Sequence, residues 1–377
     1  MADEELTPQN LLGQGLAVLS DLLGSSWTVT PRPEREGSRG SDFIVEVRAE
    51  GDSSFTQLLV EVKTSVTPRM VQEVLVPKMD LLERVNHYTN LFVMAPWVSP
   101  RTQELLRKYG IGYLDLNGNV SLRVPKPAIV IHTEGATRAP RAHAQQQSKT
   151  TLGGAKAGRL VRILADVRPP YGATELARAA GMSLPYVSRL LDTLEDQLLV
   201  RRDGRAITDV DWPNLLRARA AQTNLLGRNS YAGMLAPNGV AAVMNQIRAL
   251  PPVGFDGVVI TGSWAAHRVA PLAVGGQLTL YVAARLNVDD LADDLGLLPV
   301  QENADVLLVQ APDLVVFERA ATYQGLRYVA LSQLVLDCLS GPGRMPAEGE
   351  AVLQYMTDHQ ETWRALSIHH AQENLQL

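Results

Sequence analysis

Two acidic residues and a lysine in the first third of the chain have the spacing of a phosphodiester-cleaving site. Asp42 opens one strand-like run, and Glu61 and Lys63 end the next one. If Gly51-Asp52 form the loop between these runs, Asp42 stands opposite Glu61, and Lys63 lies on the same face. Carboxylates opposed at about 5 Å can share a hard cation such as Mg²⁺. A neighbouring lysine can then help the metal to orient and activate water.

The same face also allows simpler interpretations. Its charged side chains can form surface ion pairs, which contribute little to stability, or the hairpin can belong to a scaffold that kept the fold and lost cleavage. Gln72, on a helix predicted to open at Thr67-Pro68, is a further candidate site residue. The opposite face of the hairpin is predicted to be apolar, with Phe43, Val45, Val47, Leu58, Val60 and Val62.

The middle of the chain has the pattern of a helix-turn-helix followed by a hairpin. A short helix ends at Gly181, a residue suited to a turn with positive φ. Ser183 can cap the next helix, with Pro185 in its first turn. On that helix the spacing predicts a core-facing side and an outward side. The core-facing residues are Val187, Leu190, Leu191 and Leu194.

The outward residues of this segment are candidates for contact with DNA. A helix with a short polar or basic outer face fits the major groove, and basic residues on the following hairpin can reach phosphates or the minor groove. The alternative is that such a fold mediates protein contacts without DNA. The candidate DNA-binding residues are Thr174, Ser183, Pro185, Tyr186, Ser188, Arg189, Thr193, Arg201, Arg202 and Arg205.

The formal net charge of −5 hides an uneven distribution along the chain. Residues 1–134 carry a net charge of −4, residues 135–230 carry +7, and residues 251–377 carry −9. A basic middle between acidic ends predicts an anionic partner on the middle third.

The last third contains Thr261-Gly262-Ser263 between a predicted strand and a predicted helix. The next predicted strand, Leu278–Val282, holds no carboxylate pair, and two-metal phosphoryl chemistry needs such acids. Asp305 or Asp313 alone cannot replace the pair. We therefore expect an interaction or ligand-sensing domain here.

Composition and length indicate a multidomain α/β protein in the cytoplasm. The chain has 377 residues, a single cysteine (Cys338) and apolar runs too short to span a membrane, and its first residues do not form a secretory signal. The predicted divisions are an α/β domain over 1–134, a basic flexible linker over 135–158, a winged helix-turn-helix with a connecting helix over 159–230, and an α/β domain over 231–377.

Each domain resembles a known family. Asp42 with Glu61-Val62-Lys63 resembles the PD-(D/E)xK restriction-endonuclease-like fold, with Ser41 in place of the family's proline. The middle segment resembles the winged helix-turn-helix of bacterial regulators. Thr261-Gly262-Ser263 resembles the nucleotidyltransferase fold, in a degenerate form without its acids.

The order of the three domains is similar to AbiEi-like regulators, a group that includes antitoxins of type IV toxin–antitoxin systems. The phrases Gly110–Asn119 and Gly325–Ala330 also resemble this group. The resemblance implies a nucleoid-associated transcriptional regulator that binds double-stranded DNA, and we expect a homodimer. DNA binding would need no cofactor. The alternatives are a Mg²⁺-dependent endonuclease using Asp42, Glu61 and Lys63, or an antitoxin that binds a toxin through residues 231–377.

Overall fold

A computed structural model of the chain describes residues 7–32, 42–51, 54–85, 89–136, 152–227, 229–272 and 276–368. The chain divides into two compact units. The first comprises residues 1–149 and 196–198, and the second comprises residues 150–195 and 199–377. Ser41, Asp52, and residues 137–151 of the predicted linker lie outside the described residues.

The first unit is built on a seven-stranded mixed sheet whose strands follow one another in chain order. β3 pairs in parallel with β4, and β4 with β5, while the other neighbours are antiparallel. The sequence did not predict β1 and β7. The strands are β1 (Trp27–Pro31), β2 (Asp42–Ala49), β3 (Phe55–Val62), β4 (Thr89–Ala95), β5 (Gly112–Asp115), β6 (Val120–Val124) and β7 (Ile129–Thr133).

Helices cover both faces of this sheet, which gives two separate apolar cores. α1 (Pro8–Leu23), capped by the Thr7 hydroxyl, packs its leucines against one face. The other face is covered by α2 (Pro68–Met70), a π-helical turn (Val71–Leu75), α3 (Val76–Val85) and α4 (Pro100–Lys108). The predicted α/β class is confirmed for this unit.

The predicted register of the β2–β3 hairpin is confirmed. Asp42 pairs with Glu61 and Phe43 with Val60, and the pairing runs to Arg48 and Phe55. The apolar side contributes Val45, Val47, Leu58, Val60 and Val62 to the core beneath α1. Because strand side chains alternate between faces, this burial fixes Asp42 and Glu61 on the opposite face.

The second unit begins with a helical domain that carries a three-stranded sheet of order β8-β10-β9. Two boundaries differ from the prediction. The predicted linker ends earlier, because α5 begins at Ala155 and buries Ala157. The helix after Asp211 ends at Ala220 instead of near Leu226, because the Asn224 side chain accepts hydrogen bonds from the amides of Leu226 and Gly227. The elements are α5 (Ala155–Asp166), β8 (Tyr171–Gly172), α6 (Ala173–Ala180), α7 (Leu184–Asp196), β9 (Val200–Asp203), β10 (Ala206–Val210) and α8 (Trp212–Ala220).

The rest of the second unit is a seven-stranded mixed sheet of order β14-β11-β15-β13-β12-β17-β16 with surrounding helices. Its strands are β11 (Tyr231–Leu235), β12 (Val258–Thr261), β13 (Leu278–Val282), β14 (Leu298–Pro299), β15 (Val306–Gln310), β16 (Ala321–Tyr323) and β17 (Leu326–Tyr328). Its helices are α9 (Val240–Ala249), α10 (Pro252–Asp256), α11 (Gly262–Val269), α12 (Val288–Asp294), α13 (Leu331–Leu339), α14 (Met345–Asp358) and α15 (Gln360–Trp363), with a 3₁₀ turn at Leu314–Phe317.

The two parts of the second unit share one hydrophobic core, which extends from Leu152 to Ile368. Polar contacts join them as well. Asp166, at the end of α5, forms an ion pair with Arg319 and accepts a hydrogen bond from the Ser332 hydroxyl at 3.0 Å. Arg364 donates to the carbonyl oxygen of Ala165 at 2.9 Å. A change in the C-terminal part can therefore be transmitted to α5.

Within the described part of the chain, no helix combines the length and the apolar character that are needed to cross a membrane.

A buried carboxylate in the second unit makes stability depend on pH. Asp337 accepts hydrogen bonds from Thr261 at 2.6 Å, Tyr281 at 2.9 Å and Gln333 at 2.8 Å. Burial nevertheless raises the pKa of Asp337 to about 6. The folded protein therefore keeps this proton at a higher pH than the unfolded chain does.

We expect Asp337 protonation to stabilise the fold fully below about pH 4 and to lose that effect as pH rises through about 6. Asp337→Asn keeps an oxygen acceptor but does not titrate. Its unfolding free energy should therefore not show this decline, which in the wild type is on the order of 1–3 kcal/mol. Denaturant titrations between these pH values measure it. The exposed Asp294→Asn should behave as the wild type, and equal slopes for all three proteins would contradict the assignment.

Candidate nucleic-acid interface

The turn between α6 and α7 has the geometry that its glycine predicts. Gly181 takes φ 64° and ψ 38°, in the left-handed region. The amide of Met182 donates to the carbonyl oxygen of Ala177 at 2.9 Å and closes the end of α6. At the other end of α6, the Glu175 carboxylate accepts from the Gly172 amide. Both ends of this short helix are therefore fixed by local hydrogen bonds.

The rotation of α7 about its own axis is set by four buried side chains. Val187, Leu190, Leu191 and Leu194 are each fully buried, which confirms the predicted core-facing side. The first turn of α7 starts at Ser183, whose carbonyl oxygen accepts from the amides of Tyr186 and Val187.

The remaining face of α7 is polar and accessible. Tyr186, Arg189 and Thr193 share one side of the helix, since they are spaced by three and four residues. Arg189 is exposed, Tyr186 and Thr193 are half-buried, and the Thr193 hydroxyl donates to the Arg189 carbonyl oxygen at 3.0 Å. The other predicted residues of this surface also remain accessible, namely Thr174, Ser183, Pro185 and Ser188.

Two of the predicted arginines on the β9–β10 hairpin are exposed to solvent, and the third is bonded to α7. Arg201 and Arg205 are exposed on either side of a turn at Gly204, which has φ 58°. Arg202 instead bonds to carboxylates of α7, through Nε to Glu195 at 2.9 Å and through an ion pair with Asp192 at 2.7 Å. The hydrogen bond to Glu195 raises the pKa of Arg202. Arg202 therefore ties the hairpin to α7.

The charge available on this surface is positive. Arg178, Arg189, Arg201 and Arg205 are exposed, and none forms an ion pair with any residue that the structure describes. Such unneutralised guanidinium groups suit phosphate oxygens or base edges.

Comparison with known families agrees with this geometry. Residues 155–204 match the model of the IclR helix-turn-helix domain. The match supports a DNA-binding transcriptional regulator. It covers α5 to α7, strand β9 and Gly204 of the turn that follows. No curated protein and no solved structure matches the chain.

The acidic residues of the first unit do come together, but with a lysine that sequence reasoning missed. Lys78 of α3 forms an ion pair with Asp42 at 2.6 Å and another with Glu61, while Lys63 pairs with Glu61 at 2.7 Å. The Glu61 side chain is only 4 % exposed, and Gln72 is exposed on the π-helical turn. No short-range signal marks Lys78, since it lies 17 residues beyond Glu61 on another element.

The Lys78 ammonium is the cation that both carboxylates hold. Burial raises the pKa of Asp42, but hydrogen bonding and charge from Lys78 outweigh burial, and the pKa lies below its ordinary value. Among the described residues, no group of three or more His, Cys, Asp or Glu side chains could hold a metal ion. In the structure the Lys78 ammonium lies against both carboxylates, at the position where they would share a cation.

The polar turn of the last third is occupied by internal contacts. Gly262, with φ 67°, joins β12 to α11. The Ser263 hydroxyl donates to the buried carboxylate of Glu348 at 2.6 Å, and the Thr261 hydroxyl donates to Asp337. These hydroxyls therefore serve to satisfy buried acids of α13 and α14.

Replacing Lys78 should destabilise the first unit. In Lys78→Met the carboxylates of Asp42 and Glu61 lose their common partner, so we expect a loss of about 1–3 kcal/mol, less than for a fully buried pair. The loss should be largest near neutral pH and shrink as pH falls, because protonation then removes the unpaired charges. Denaturant unfolding at several pH values measures it.

Lys126→Met removes an exposed lysine from the same unit and should leave stability near that of the wild type. Equal stability of the Lys78 and Lys126 variants at neutral pH would show that the ion pairs contribute nothing.

Proposed function

We propose that this protein is a sequence-specific regulator of transcription that inserts α7 into the major groove of double-stranded DNA. The observation that carries the proposal is the matched helix-turn-helix domain. In this domain one side of α7 is buried, so Arg189 and its neighbours face outward. A major groove about 12 Å wide admits one α-helix. An arginine can donate two hydrogen bonds to a guanine edge there.

The β9–β10 hairpin is the wing in this proposal. Arg201 and Arg205 would contact phosphates, which adds affinity without sequence information. Arg202 has a different role, because its bonds to Glu195 and Asp192 position the wing beside α7. Since a single helix buries too little surface for tight specific binding, we expect two copies of the chain on an operator with two half-sites.

The base-reading role of α7 predicts a specific defect in Arg189→Ala. Binding sites are first identified by selection from random duplexes with the wild-type protein. On the selected duplex, Arg189→Ala should bind about tenfold to a hundredfold more weakly, because one good base contact contributes about 1–3 kcal/mol of discrimination. On an unrelated duplex the change should be small. Fluorescence anisotropy at fixed salt measures both affinities.

Arg285→Ala is the matched control, since it removes an exposed arginine outside the helix-turn-helix domain. It should bind both duplexes as the wild type does. Wild-type affinity of Arg189→Ala on the selected duplex would remove Arg189 from the interface.

The wing predicts a defect of another kind in Arg201→Ala and Arg205→Ala. Each variant should bind all duplexes more weakly, by a similar factor for specific and unrelated sequences. Each should also reduce the slope of log affinity against log salt by about one unit, because one phosphate contact releases about one counterion. Anisotropy titrations across a salt series give the slope. An unchanged slope in both variants would show that the hairpin does not contact the DNA phosphates.

A further inference from the structure

Among the edge strands of the described sheets, β7 alone lacks the features that protect an edge from pairing with another strand. Short length, proline and charged side chains are the usual protections. β8, β14 and β16 hold only two or three residues each. β1 ends in Pro31, and β9 carries Arg201, Arg202 and Asp203.

β7 is an apolar strand at an open edge of the first unit's sheet. It consists of Ile129, Val130, Ile131, His132 and Thr133, so it holds no proline, acid, lysine or arginine. No described strand pairs with its outer side. Val130 is 76 % exposed, and a neighbouring strand would cover part of it. The outer side of β7 therefore presents backbone donors and acceptors that a further strand can satisfy.

An antiparallel copy of β7 fits this edge. Opposed residues of antiparallel strands lie on the same face of a sheet. The register that pairs all five residues therefore sets Ile131 against Ile131 of the second copy and Ile129 against Thr133. Ile129 is buried in the core beneath α1, and the half-buried Ile131 packs against that core. Pairing would cover the exposed part of Ile131 and join the cores of the two copies.

The charges at the two ends of β7 favour the antiparallel arrangement. Lys126 precedes the strand and Glu134 follows it, and both side chains are exposed. Antiparallel pairing brings the Glu134 end of one copy to the Lys126 end of the other. Parallel pairing would instead bring like charges together, which is destabilising. The occupant with complementary ends is therefore a second copy of β7 in the opposite direction.

We propose that β7 is a self-association surface, at which two copies of the chain pair their β7 strands antiparallel around Ile131. The two seven-stranded sheets then form one continuous sheet. Because the same residues lie on both sides of the contact, the assembly closes at two copies. The contact goes beyond the proposed function, since it uses no residue of the matched helix-turn-helix domain. It also supplies the second copy that an operator with two half-sites needs.

Self-association is measured on the full-length protein without DNA, so its failure and a failure of DNA binding are distinguishable. A contact of one five-residue strand pair belongs with the weak interfaces, which bury less than about 1,200 Å². We therefore expect a dimer with a Kd of about 10–100 μM. Sedimentation velocity across a concentration series from about 1 to 200 μM measures it. A protein that is still monomeric at about 200 μM overturns the proposal.

Two lysine variants locate the surface. Val130→Lys should raise the Kd about tenfold or more, because a lysine on an edge strand opposes pairing. Val85→Lys is the matched control, since Val85 is also 76 % exposed but lies on α3 of the same unit. It should associate as the wild type does, and thermal midpoints show whether both variants fold. A wild-type Kd in Val130→Lys, or an equal loss in Val85→Lys, overturns the assignment to β7.

Disulfide formation tests the register, and the buried native Cys338 does not compete. Opposed Cα atoms of antiparallel strands are about 4.5–5.5 Å apart, within the ~4.4–6.8 Å that a disulfide spans. The two Val130 positions are diagonal neighbours, about 7–8 Å apart. Mild oxidation should therefore link two copies of Ile131→Cys faster than two copies of Val130→Cys, although Val130 is the more exposed residue. Equal or faster linking of Val130→Cys overturns the proposed pairing.

Discussion

The candidate interface depends on the buried apolar side of α7. Four apolar side chains at Val187, Leu190, Leu191 and Leu194 have no exposed surface in the structure. Rotating the helix by one residue would bring at least one of them into water and bury Arg189 in its place, at a cost of several kcal/mol. The same packing that stabilises the domain thus selects which polar residues face outward. Arg202 extends this control to the β9–β10 hairpin, since its bonds to Glu195 and Asp192 attach the hairpin to α7.

A second consequence of packing is that the helix-turn-helix domain is not an independent body within its unit. Its core continues into the C-terminal sheet, and buried polar groups of α5 have partners on the C-terminal side. Arg162 donates to backbone oxygens near Val315, and Asp166 pairs with Arg319. Removing one partner of such a pair leaves an uncompensated buried charge, so the two parts are energetically coupled.

Local periodicity was enough to predict the parts of the fold in which neighbouring residues decide the structure. The β2–β3 register follows from strand alternation, and the α6–α7 turn follows from Gly181 and helical spacing. The edge strands β1 and β7 were missed because their alternation is weak and one face of each is accessible. Lys78 was missed because only tertiary packing brings α3 over the paired carboxylates. In the structure it forms ion pairs with both carboxylates.

The charge counted along the sequence overestimates the positive charge on the surface of the middle third, because tertiary contacts again decide which groups are paired. Several of its arginines are neutralised by the acidic C-terminal part, as Arg159 is by Asp313, Arg217 by Glu350 and Arg168 by Glu361. These pairs account for part of both the +7 and the −9. Among the described arginines of the middle third, the exposed ones without such pairs lie on α6, α7 and the β9–β10 hairpin, namely Arg178, Arg189, Arg201 and Arg205. Unpaired arginines on α6, α7 and the β9–β10 hairpin are groups that a phosphate backbone attracts.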